Sequence, residues 1–125
     1  MIHLHQYADQ VAQALPQTTL SQPFGEGCNV YKVANKVYLM AFKLEGKAVL
    51  NIKVEPQHSE MLRDFYPFIH AGYHMNKRHW ISLYEHEEVK EDLVQDLIQS
   101  SYDLVVKTLS KNDQNRISLL RELDH

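Results

Sequence analysis

Apolar residues recur at helical spacing at the start of the chain. Leu4, Ala8, Val11 and Leu15 share one face, and Pro16 closes the segment, which predicts an amphipathic helix. Gln17 to Asn29, carrying Pro23, Gly25 and Gly27, reads as a loop. The period then shortens. Val30 to Val33 is a β-branched run, Ala34-Asn35 supplies a turn, and Lys36 to Leu44 is a second run. Glu45-Gly46 marks another tight turn before a third run, Lys47 to Val54. In that run Ala48, Leu50, Ile52 and Val54 fall on one face, with Lys47, Asn51 and Lys53 on the other. Such alternation predicts an antiparallel strand covered on one side and solvated on the other. The solvated side is expected to be basic.

Pro56 suits the first position of a helix, Met61, Leu62 and Phe65 supply its apolar stripe, and Pro67 ends it. Pro67 to Lys77 is expected to be loop, with Gly72 as its hinge or positive-φ position. Arg78 to Glu85 predicts a fourth strand. Val89, Leu93, Leu97, Ser101, Leu104 and Val105 keep helical spacing over a long segment, with Leu109 near its end. Glu87, Glu88, Glu91 and Asp92 crowd its first turns, where the helix dipole favours negative charge. A short final helix is expected over Gln114 to Leu123. Hairpin-linked strands with segregated helices predict an α+β domain built on an antiparallel sheet with an N-terminal, a middle and a long C-terminal helix.

Length and composition sharpen this picture mostly by exclusion. A chain of 125 residues with no repeat or low-complexity run is expected to form a single domain over 1–125. Its 44% hydrophobic and 23% charged residues exclude disordered, collagen-like and disulfide-stapled classes. The lone Cys28 forms no internal disulfide and no multi-thiolate zinc site. No apolar run approaches the roughly 18 residues that span a bilayer. The first residues show no basic stretch followed by an apolar one, so no signal peptide is expected. A cytoplasmic protein without membrane contact, monomeric rather than oligomeric, is the expectation.

Charge is unevenly spread. The net value is -3, yet residues 30–84 hold eight lysines and arginines against four acids, a net +4. Residues 85–125 hold ten acids against five bases, a net -5. A basic middle suits a polyanion partner, with the acidic helices kept away from it.

Two stretches carry a resemblance. One is Pro23-Phe24-Gly25 followed by Val30 to Lys36. The other is Tyr66-Pro67 followed by the run Gly72 to Trp80. With Ser101-Tyr102-Asp103-Leu104-Val105 they resemble the MmcQ/YjbR family of small bacterial proteins. The resemblance runs from the first helix to about Lys111, and the run Gly72 to Trp80 is its most specific part. It implies a small α+β fold, described as a double-wing arrangement, and it implies DNA binding on fold-level analogy. Ala71 departs from the family's usual proline, which implies a less rigid loop. Ile81 follows the Trp where a polar residue is common, which points to burial or a covering tail. The segment 112–125 extends past the usual end.

The run Gly72 to Trp80 concentrates polar, cationic and aromatic groups. Lys77 and Arg78 suit phosphates, Arg through its bidentate fork. Tyr73 and Trp80 suit stacking on bases, and Asn76 suits a base edge or a phosphate oxygen. Lys47 and Lys53 from the third strand complete the expected nucleic-acid face. Equally, Tyr73 and Trp80 can anchor the loop to the sheet while Asn76 caps its turn. His70, His74 and His79 lie close in sequence, but their spacing matches no zinc signature, so no metal is expected. Gly25-x-Gly27 lacks the rest of any dinucleotide or phosphate-loop fingerprint, so no cofactor is expected. Cys28 has no local base, and no enzyme signature is present. The reading is a non-enzymatic DNA-binding protein; the alternative is a protein-interaction or small-ligand module with no nucleic-acid role.

Overall fold

A computed structural model describes residues 1–123. The elements run α1 (Leu4–Gln13), β1 (Thr18–Ser21), β2 (Asn29–Val33), β3 (Lys36–Leu44), β4 (Lys47–Lys53), α2 (Pro56–Phe65), β5 (Ile69–Ala71), β6 (Trp80–Tyr84), α3 (Glu91–Val106) and α4 (Lys111–Leu123). All six strands join one antiparallel sheet in the order β1-β2-β3-β4-β6-β5. The architecture is α+β. Both central hairpins close on two-residue turns whose central residues have positive φ: Ala34 and Asn35 at 48° and 65°, Glu45 and Gly46 at 51° and 82°. That pairing is what a type I′ turn requires, and its twist matches the strands.

One face of the sheet, the inner face, carries the main core. Tyr31, Leu39, Leu50, Ile52, Ile81 and Leu83 lie there, packed against Leu4, Ala8 and Ala12 of α1 and against Leu97, Ile98, Tyr102 and Val105 of α3. The register between β2 and β3 shifts after Tyr31, so that Tyr31 pairs with Leu39 while Lys32 pairs with Val37. This bulge adds Tyr38 as an extra residue, and both Tyr38 and Leu39 join the core despite being adjacent. Ser101 brings α3 close to the strands: the Lys53 amide donates to its Oγ at 3.1 Å, and its hydroxyl donates to the Tyr38 carbonyl at 2.6 Å.

The expected elements form, with local departures. Gln17–Asn29 and Pro67–Lys77 are not wholly loop, because they contain the edge strands β1 and β5. These are four and three residues long, and Ile69 is their only buried residue, so no alternation betrays them. Helix α2 spans Pro56–Phe65 as expected, but its stripe does not face the core. Leu62 is buried, while Met61 is 57% and Phe65 74% exposed. Glu87 and Glu88 precede α3 rather than occupy its first turn, where Glu91 and Asp92 sit.

Helix α4 starts at Lys111, three residues earlier than expected, and closes against α3; Asp124 and His125 lie outside the described residues. Ile117 is buried in the main core. Arg121 pairs with Asp103 at 2.9 Å and lies 4.8 Å over the Tyr102 ring. Burial outweighs the exposed ion pair here: Ile117→Ala is expected to cost about 2–4 kcal/mol, and Arg121→Ala about 1 kcal/mol or less. Urea unfolding of the two variants checks the ranking, and equal losses would contradict it.

Three core tyrosines make the fold sensitive to alkali. Burial raises the phenols of Tyr31, Tyr38 and Tyr102, the last to about 12 against a nearby Arg121 that pulls it down. Tyr31 also donates to Asp9 at 2.8 Å. Each phenol holds its proton more tightly folded than unfolded, so its contribution is complete below the unfolded value of about 10. That contribution is lost as pH rises from there through the folded values. The urea midpoint is expected to fall steeply above about pH 10, with tyrosinate absorbance appearing together with unfolding. Tyrosinate absorbance for all seven tyrosines near pH 10 in a folded chain would contradict this.

Candidate functional site

The opposite, outer face of the sheet is where Gly72 to His79 lies. Ladder parity puts Trp80, Ser82 and Tyr84 of β6 on this face, with Val49 and Asn51 of β4 and Phe42 of β3. Trp80, Val49 and Val30 are buried yet stand apart from the main core, as the loop-covered side of the sheet requires.

Gly72 extends the ladder by one step, its amide donating to the Trp80 carbonyl at 2.9 Å. It is a glycine for space rather than for φ. A Cβ there would lie 2.7 Å from Trp80 Cβ and 2.9 Å from the Trp80 carbonyl oxygen. The positive φ expected at Gly72 falls instead on His74, at 57°. Next comes a closed ring of hydrogen bonds. The Tyr73 amide donates to Ser82 Oγ (2.8 Å), the Ser82 hydroxyl donates to Asn51 Oδ1 (2.5 Å), and Asn51 Nδ2 donates to the Tyr73 carbonyl (3.0 Å). The Tyr73 ring stacks on Phe42, centroids 6.0 Å apart. Asn76 Oδ1 accepts from the Arg78 amide at 2.9 Å, and the His79 amide donates to the Asn76 carbonyl at 3.2 Å. Lys77 Nζ donates back to the Gly72 carbonyl at 2.9 Å. The Val54 amide, donating to the His79 carbonyl at 2.8 Å, ties the far end to the main sheet.

These contacts sort the sequence candidates. Tyr73 is half-buried against the sheet, Asn76 holds the turn, and Trp80 at 9% exposure presents no free ring for stacking. Lys77 and Arg78 are exposed, within the unbroken exposed run Asn76 to His79. Among the described residues the Arg78 guanidinium makes no hydrogen bond or ion pair. Lys47 is exposed and Lys53 half-buried at opposite ends of β4, but Val49 and Asn51 between them are buried. The continuous basic strand face expected from Lys47, Asn51 and Lys53 is therefore not formed, because the loop occupies its centre. Ile81 points the other way, into the main core.

The outer face remains electropositive at its margins. Lys32, Lys47, Lys53 and His70 share it by register, and no strand position on it carries a carboxylate. Exposed Glu91, Asp92, Asp96 and Asp103 sit on α3, which packs on the inner face. The histidines disperse among aromatics: His70 meets the edge of Tyr84 at 5.3 Å, and His74 lies 4.1 Å from the Tyr73 ring. Among the described residues no group of three or more His, Cys, Asp or Glu is placed to hold a metal ion. Burial pushes the half-buried Cys28 thiol up, which disfavours the thiolate a nucleophile needs. The Asn51–Ser82 pair escaped the sequence reading. Its signal was there: two small polar residues at the centres of apolar strands.

Residues 13–104 match the model of the YjbR family. An Escherichia coli O157:H7 protein described as uncharacterized, YbdF, is 44% identical over 114 residues, covering 91% of this chain and 93% of its own length. Uncharacterized YjbR of Escherichia coli K12 is 26% identical over 78 residues, covering 62% and 66%. Among solved structures, Deinococcus radiodurans DR2400, a DUF419 domain, superposes with a TM-score of 0.79 at 30% identity, covering 87% of this chain and 83% of its own. A Pseudomonas syringae protein superposes at 0.69 with 26% identity, covering 83% and 98%. With the family model spanning the whole sheet and nearly all of α3, this chain belongs to the YjbR family.

Proposed function

We propose that the chain is a non-enzymatic, cytoplasmic DNA-binding protein that grips the phosphate backbone through the Gly72–Trp80 loop. The observation that supports this reading most is the exposed run Asn76 to His79, with Lys77 and Arg78 presented on a loop tied down at both ends. Fixing the cations beforehand lowers the ordering entropy that phosphate binding must overcome. Lys32, Lys47 and Lys53 extend the field, while the acidic surface of α3 lies behind the sheet. Tyr73 and Asn76 act by holding the loop in shape rather than by touching bases. Contacts of this kind position a duplex and read little sequence.

Anisotropy of a labelled random-sequence duplex at about 50 mM salt tests the reading, since backbone contacts are strongest there. Lys77→Ala/Arg78→Ala is expected to weaken binding about tenfold or more, whereas Lys90→Ala/Lys111→Ala on the helix side is expected to leave it unchanged. No wild-type binding at this salt would overturn the reading. A second reading, a protein-interaction module, draws support from the exposed Met61 and Phe65, one helical turn apart on α2. Loss of binding to an affinity-selected protein partner on Met61→Ser/Phe65→Ser would favour it.

A further inference from the structure

Helix α2 turns one whole face to solvent. Gln57, Glu60, Met61, Asp64 and Phe65 are all exposed, repeat at i, i+3, i+4, i+7 and i+8, and line one shallow depression. Met61 and Phe65 are the apolar pair of that face, one turn apart, while Leu62 on the other side of the helix is buried. The Phe65 ring is held rather than free. It meets Tyr66 edge-to-face with centroids 4.8 Å apart, and Tyr66 packs against the main core. An apolar anchor held in place before binding loses less entropy on contact.

A row of acid runs beside the apolar pair. Glu60 and Asp64 are both exposed and one turn apart, an i, i+4 pair of like charges that disfavours the helix. Asp64 also falls in the last turn of α2, where the helix dipole disfavours a carboxylate. The neighbouring cation does not neutralise them. Arg63 Nε donates to the Ser59 carbonyl and to Ser59 Oγ, each at 3.3 Å, and the Arg121–Asp103 contact is the only ion pair among the described residues. Exposed apolar side chains and unpaired carboxylates thus stand side by side, a local conflict that a partner of opposite charge relieves.

We propose that this face of α2 docks a basic amphipathic helix of a partner protein, an inference that names the partner for the protein-interaction reading and rests on it. The partner's apolar side chains cover Met61 and Phe65, and its lysines or arginines, one row over, pair with Glu60 and Asp64. Charge complementarity selects this occupant. Nucleic-acid phosphates and anionic lipid surfaces carry the same sign as Glu60 and Asp64 and are repelled. A helix fits better than an extended segment because both rows on α2 advance by one turn, the repeat that a second helix presents. The face shares no residue with the Gly72–Trp80 loop.

The probe is a leucine–lysine amphipathic helix of about 18 residues, or five turns, with a twin in which glutamate replaces every lysine. Titration of the ¹⁵N-labelled chain reads where each one binds. The lysine peptide is expected to shift the amides of Gln57 to Tyr66 saturably, and the glutamate twin to shift none of them. Met61→Ser/Phe65→Ser and Glu60→Gln/Asp64→Asn are each expected to weaken the response about tenfold. All four positions are exposed and outside the main core, and the variants' spectra report folding directly. Shifts centred on Glu91, Asp92 and Asp96 of α3, or an unchanged response in both variants, would overturn the proposal. An equal response to the two peptides keeps α2 as an interaction face but overturns the basic partner. No response to either at about millimolar peptide overturns the face itself. Sedimentation of the chain alone covers the other occupant: a dimer that Met61→Ser/Phe65→Ser dissociates assigns the face to a second copy and overturns the proposal as well. Met61→Ser/Phe65→Ser is expected to leave duplex binding unchanged, so this face stands or falls separately from the DNA reading.

Discussion

Gly72→Ala is expected to remove about 3 kcal/mol of stability, because the new methyl has nowhere to go without moving backbone. Its Cβ would meet Trp80 Cβ at 2.7 Å and the Trp80 carbonyl oxygen at 2.9 Å, and neither atom is the free end of a flexible side chain. The same carbonyl accepts the Gly72 amide, so separating the two residues breaks the bond that starts the loop. The effect is steric, since Gly72 has no positive φ for alanine to strain. Trp80 is the only tryptophan, so its fluorescence reports the site while urea unfolding reports the loss. A loss under about 1 kcal/mol, with unchanged emission, would show that the loop tolerates the methyl and is not locked to β6.

Asn51→Ala is expected to destabilise the chain by about 2–3 kcal/mol and to free the loop from the sheet. The substitution strips two partners at once. The Ser82 hydroxyl loses its acceptor, and the Tyr73 carbonyl loses its donor. Asn51 and Ser82 are both essentially inaccessible to solvent, Asn51 at 2% exposure, so water does not easily replace the missing groups. Hydrogen exchange at the Tyr73 amide, which donates to Ser82, is expected to accelerate well beyond that of the β4 ladder. DNA affinity is expected to fall with it although Asn51 touches no nucleic acid, because Lys77 and Arg78 lose their fixed platform. Unchanged exchange at Tyr73 would remove Asn51 from that role.

Much of this was legible in the chain itself. The I′ turns at Ala34-Asn35 and Glu45-Gly46, the alternation of β4 and the stripe of α3 are local signals, and they placed β2, β3, β4 and α3 correctly. What escaped depends on tertiary context. Thr18–Ser21 and Ile69–Ala71 are strands only because a neighbour offers a ladder to join. The stripe Met61-Leu62-Phe65 looked like a core face, yet α2 packs mainly at the β5 edge and leaves two of the three outside. Gly72 invited a conformational reading because glycine usually means backbone freedom. Its constraint is instead the approach of Trp80, eight residues on, which no local pattern encodes.

The candidate site was half legible. The run Gly72 to Trp80 stood out by residue type, and Lys77 and Arg78 are exposed as a phosphate contact needs. The basic strand face failed because alternation identifies a face without saying what covers it. Here the loop covers that face, stacking Tyr73 on Phe42 and closing a hydrogen-bond ring through Asn51.

The salt dependence of duplex binding tests the central claim most directly. Each phosphate neutralised contributes about -0.9 to the slope of log K against log salt. Lys77 and Arg78, with Lys47 and Lys53 as the strand lysines that reach a phosphate, predict a wild-type slope of about -3 to -4, and Lys77→Ala/Arg78→Ala a slope shallower by about 2. A wild type that does not bind, or a variant with an unchanged slope, would contradict the assignment of the loop as the phosphate-contacting element.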